Sequence, residues 1–82
     1  MKIKQALEVV LIDPYGSELI LTRQGISGSL YWKRVVNKIG IEVSSHPDYL
    51  INLSTRIINH FPRFSISSAT YTEQEYPDNT VF

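Results

Sequence analysis

His46 and His60 are the residues in this 82-residue sequence best suited to bind a transition metal or to activate a nucleophile. A metal site needs three or four converging ligands. The two histidines lie fourteen residues apart, near opposite ends of one helical pattern, which sets them about 20 Å apart. They cannot share an ion within one chain. With no cysteine, thiolate zinc sites, disulfides and a cysteine nucleophile are all excluded. The many serines bring no nucleophile elbow, and a triad is defined by geometry rather than composition. Glu73 and Glu75 are the nearest thing to a carboxylate pair, but they sit in an expected tail. Gly25-Ile26-Ser27-Gly28-Ser29 has the context of an anion-binding loop, between an expected strand and an expected helix. It lacks the GxGxxG spacing and the lysine-serine ending of a P-loop, so a plain connector is expected there. No catalytic residue, metal or cofactor follows from these residues, and the chain reads as a non-enzyme.

Contact chemistry is better represented. Lys33, Arg34 and Lys38 fall on one face of an expected helix with Asn37 between them and Tyr31 alongside, and Arg23 lies upstream. Such a face suits phosphates, and Asn37 suits a base edge. The same pattern also serves as the solvated side of an amphipathic helix. Tyrosine is frequent. Tyr15, Tyr31, Tyr71 and Tyr76 are the expected contacts for a protein partner, since tyrosine buries area while keeping a polar tip.

The elements that position these groups can be read from periodicity. Residues 7–12 are short, apolar and β-branched, as in a strand. Asp13-Pro14-Tyr15-Gly16 is a turn: the aspartate bonds its own backbone, proline presets φ, and glycine accepts positive φ. Residues 18–23 form the return strand. Residues 24–29 are expected as a loop, with Ser27 or Ser29 capping a helix over 30–39. Trp32, Val35, Val36 and Ile39 share its buried face, and Gly40 ends it. Residues 41–43 are extended, as in a short edge strand. Ser45 is expected to cap a second helix running to about His60, with Pro47 and Asp48 in its first turn. Leu50, Leu53, Ile57, Ile58 and Phe61 form its stripe, and Pro62 stops it. Residues 63–72 read as a half-exposed strand with a bulge at Ser68-Ala69.

The expected fold is therefore α+β, in the order β-β-α-(β)-α-β. Two helices pack on one face of a mainly antiparallel sheet of three or four strands. Residues 1–72 form the single domain and 73–82 an acidic polar tail that frays. Formal charge is zero, but residues through Arg63 hold all eight bases and five acids, and the last nineteen hold three acids and no base. Neither a signal peptide nor a membrane span is expected, because the first apolar run is short and contains Glu8. A cytoplasmic location is the expectation. Functionally the residues point to a small inhibitor-like or accessory protein, of the kind phages and mobile elements carry, that acts by surface contact. A homodimer through a sheet edge is one form of this. The alternative is a nucleic-acid-binding module using the first helix.

Overall fold

The computed structural model describes residues 1–29 and 32–82. It is an α+β fold. β1 (Lys2–Ile12), β2 (Glu18–Thr22), β3 (Gly25–Gly28) and β4 (Ser65–Glu75) form one antiparallel sheet in the order β3-β2-β1-β4, and α1 (Trp32–Ile39) and α2 (Tyr49–His60) pack against it.

The core follows from strand alternation. Val9 and Leu11 of β1 and Leu19 and Leu21 of β2 point to one face, where they meet Val35 and Ile39 of α1 and Leu50, Leu53 and Ile57 of α2. Trp32, Ile58 and Phe61 of the expected stripes are half-buried against this cluster. The residues between them, Val10, Ile12 and Ile20, point by alternation to the opposite face, which neither α1 nor α2 covers; Val10 is nonetheless buried there, and Ile12 and Ile20 are half-buried. Ser54 also lies in the buried stripe, its hydroxyl donating to the Leu50 carbonyl at 2.7 Å. That bond lets a polar side chain enter the core.

The first hairpin forms as its residues dictate. Asp13 Oδ1 accepts the backbone N–H groups of Tyr15 and Ser17 at 2.9 and 2.8 Å, and Gly16 adopts φ +84°. Other features differ from the sequence reading, beginning with β1, which starts at Lys2 rather than at residue 7. Residues 25–28, expected as a loop, are β3, paired with β2 from Thr22↔Gly25 to Leu19↔Gly28. Glycine and serine give a strand little side-chain signature, and the main-chain ladder alone forms it. Residues 41–43 form no strand. The fourth strand is therefore β3, and the element order is β-β-β-α-α-β. The second helix starts at Tyr49, not after Ser45. Asp48 is its N-cap without a side-chain bond, because the chain first turns through His46, whose carbonyl accepts the Tyr49 N–H. The helix start expected at residue 30, and Tyr31, lie outside the described residues; α1 is entered where the Ser29 carbonyl accepts the Trp32 N–H.

β4 runs three residues into the expected tail. Its bulge is at Ser67, one residue before the expected place, and a second bulge in β1 leaves Leu7 without a partner. Because β2 pairs β1 only from Glu8 onward, residues 2–6 and 71–75 form a two-stranded ribbon beyond the main sheet. This ribbon accounts for the elongated 43 × 23 × 19 Å shape. The expected fraying gives way to contacts: the Tyr76 N–H donates to the Met1 carbonyl, and the Tyr76 hydroxyl donates to Gln5 Oε1 at 2.8 Å. The Phe82 ring bridges Tyr76 and His46, with centroids 5.0 and 5.4 Å away.

Gly28 and Gly16 give a paired test of this architecture. Both hold positive φ, but a Cβ on Gly16 would meet open space, whereas one on Gly28 would collide with the Glu18 carbonyl. Gly16→Ala is expected to cost about 1 kcal/mol, the left-handed penalty alone. Gly28→Ala is expected to cost roughly 3 kcal/mol by adding the clash. Urea denaturation of the two variants measures the difference.

Candidate interaction surfaces

Three surfaces stand out. The first is the outer edge of β4. Among the described residues only β1 pairs with this eleven-residue strand, so its other side presents backbone groups outside the ladder. Residues 65–72 carry no charge and no proline. Tyr71 is 44% exposed, opposite Ala6 in the ladder, and the Lys4 ammonium lies 4.6 Å from its ring centroid. That cation–π contact holds the ring in place without covering it. Ile66, opposite Leu11, is 51% exposed, contrary to the alternation read for it with Phe64, which is buried. The edge position explains this: a side chain there lacks a neighbour on one flank. Glu73 and Glu75 stand opposite Lys4 and Lys2 in the ribbon, so the acidic end of β4 is countered across the strands.

The second is the helix layer. Lys33, Arg34, Asn37 and Lys38 are all exposed on α1. Neither helix contains an acidic residue. Arg34 joins His60, Phe61, Pro62 and Arg63 in lining a 260 Å³ cleft beside the end of α2. The cleft lies by the helix C-terminus, where carbonyls attract cations. Arg63 also lies against the Phe64 ring, 5.4 Å from its centroid. His60 Nδ1 is 3.0 Å from the Arg56 carbonyl, which can only accept, so the imidazole proton sits on that nitrogen.

The third is a 540 Å³ cleft between the α1–α2 loop and α2, lined by Glu42, Val43, Ser44, His46, Tyr49 and Arg56 among others. Its loop lacks regular structure, yet two arginines fix it. Arg23 donates to the carbonyls of Ser44 and His46 at 3.2 and 3.4 Å, and its guanidinium lies 5.9 Å from the Tyr49 ring centroid. Arg56 donates to the carbonyls of Ile39 and Gly40 at 2.6 and 3.0 Å, closing the end of α1. His46 Nδ1 accepts the Asp48 N–H at 3.0 Å, which places any single imidazole proton on Nε2. The Asp48 carboxylate lies 3.9 Å from the same Nδ1.

The residues singled out from sequence are thus dispersed. Tyr15 is 90% exposed at the first hairpin tip, Tyr71 lines the β4 edge, and Tyr76 is half-buried under Phe82. They form no common patch. Lys33, Arg34, Asn37 and Lys38 share α1, but Arg23 is held at the loop by its bonds to Ser44 and His46. Val10, Ile12 and Ile20 on the uncovered face are a feature the sequence reading missed. The signal was present: the unbroken apolar run of residues 9–12 supplies both faces of a strand. Among the described residues, no helix is long and apolar enough to cross a membrane, and no three His, Asp or Glu side chains converge as metal ligands.

Comparison with protein-family models, curated proteins and solved structures gives no match to the chain.

The braces can be tested directly. Arg56→Met is expected to lower stability by about 1 kcal/mol. It is also expected to speed amide hydrogen exchange in residues 40–48 while β1 and β2 keep their protection. Arg23→Met is expected to speed exchange in residues 44–48 alone. Unchanged exchange in both variants would show that the loop is held by other contacts.

Proposed function

We propose that this protein is a small non-catalytic interaction module, an accessory or inhibitor-like protein that acts by surface contact, with the β4 edge as its main docking element. The observation that carries the reading is the open eleven-residue edge strand, uncharged over residues 65–72 and bearing the exposed Tyr71. Sheet edges are normally shortened, charged or covered because they recruit other strands. β3, at the opposite edge, is only four residues long. β4 has a single bulge as protection. An added strand would gain main-chain hydrogen bonds from β4 and specificity from side chains beside Tyr71.

A second reading, nucleic-acid binding, is favoured by the acid-free helices and by the convergence of Arg34 and Arg63 on one cleft. Zero net charge weighs against it.

One comparison separates the two. Immobilised wild-type protein, Thr70→Lys, and a Lys33→Glu/Arg34→Glu/Lys38→Glu triple variant are exposed to nuclease-treated lysate and, separately, to labelled duplex DNA and RNA. The module reading expects a protein bound by wild type and by the triple variant, with at least tenfold less on Thr70→Lys. Nucleic acid retained by wild type and Thr70→Lys, and lost by the triple variant as salt rises, would overturn it.

A further inference from the structure

Resting on the strand-edge reading above, we infer that the partner that fits the β4 edge is a second copy of this chain, paired antiparallel about Thr70. The bulge at Ser67 limits regular alternation at one end, which leaves residues 68–72 as the uninterrupted uncharged segment. The β1 register sorts their side chains. Ala69 and Tyr71 lie opposite Val9 and Ala6, on the helix side of the sheet. Ser68 and Thr70 lie opposite Val10 and Glu8, on the uncovered side, and alternation puts Thr72 there too.

A two-fold axis through Thr70, perpendicular to the sheet, sets Ala69 against the Tyr71 of the other copy and Ser68 against its Thr72. Each large ring then meets a small side chain on one face. On the other face the facing residues are all serine or threonine, which pair across strands through their hydroxyls. The acids are compatible as well: Glu73 and Glu75 lie beyond the paired segment, toward the bulge at Ser67 and the uncharged residues before it in the other copy, so no carboxylate faces another. A foreign strand would need small and large residues alternating in this order, whereas a second copy supplies them. The assembly is one continuous eight-stranded antiparallel sheet. Both helix pairs lie on one side, and both Val10, Ile12 and Ile20 patches lie on the other.

The absence of cysteine makes the register measurable. Thr70→Cys places two thiols directly opposite across the axis, about 5 Å apart at Cβ. Thr72→Cys places its own two thiols about 13 Å apart, because each faces residue 68 of the other copy. Mild oxidation is therefore expected to convert most of Thr70→Cys to a covalent dimer and to leave Thr72→Cys monomeric. An equal mixture of Ser68→Cys and Thr72→Cys is expected to form the mixed dimer. Light scattering of the cysteine-free chain should give twice the monomer mass, falling to one in Thr70→Lys, where two ammonium groups would meet. Circular dichroism of Thr70→Lys should match wild type, since Thr70 is exposed beside Glu8. Two results would overturn the inference: a monomer at every concentration with no cross-link, or a dimer that survives Thr70→Lys and cross-links at neither position. In the monomer case, loss of a captured protein in Thr70→Lys alone would still uphold the strand-edge reading with a foreign partner. If that loss is absent too, both fall.

Discussion

The structure depends on one constraint: the apolar stripes of two short helices must be covered, and the alternating residues of β1 and β2 cover them. Val9, Leu11, Leu19 and Leu21 are fully buried, as are Val35, Leu50 and Ile57 opposite them. A domain this small has no second layer to spare. Once both helices occupy one face, Val10, Ile12 and Ile20 are left to the other. The sheet cannot close on itself with four strands, so it keeps two edges. One edge is a glycine-bounded strand of four residues, and the other is the whole of β4.

The same scarcity of core explains how the arginines are used. The α1–α2 connection has little apolar content to anchor it, and Val43 faces solvent. Arg23 and Arg56 instead reach carbonyl oxygens on the loop and at the end of α1. A guanidinium suits this role because its planar donors satisfy two acceptors at once. Charge that reads in sequence as part of a binding surface is thereby committed to the fold. What remains free to meet a partner is narrower: the exposed bases of α1 and the largely uncharged edge of β4.

The ribbon and tail follow from the length of β1. Its first residues extend past β2, where only β4 can pair with them. A two-stranded ribbon is marginal by itself in water. Here it gains the Lys4–Tyr71 contact, opposed charges across the strands, and the Gln5, Tyr76, Phe82 and His46 chain that ties it to the entry of α2. The acidic end of the sequence is in this way brought against lysines from its beginning.

By itself the sequence determined that two helices form and which faces they bury, the first hairpin and the α+β class. These rest on local signals: the spacing of Trp32, Val35, Val36 and Ile39, the stripe from Leu50 to Ile57, Pro62 as a stop, and the Asp13-Pro14-Tyr15-Gly16 turn. Each is a property of neighbours along the chain, so each is legible there. Only the tertiary structure decided that residues 25–28 pair as a strand and that 41–43 do not. It also decided that the ordered strand reaches Glu75 and that Arg23 belongs to the loop. These outcomes depend on which backbone groups lie within hydrogen-bond reach after folding. A Gly-Ile-Ser-Gly segment becomes a strand because β2 stands beside it, and Ile41-Glu42-Val43 stays irregular because no strand does.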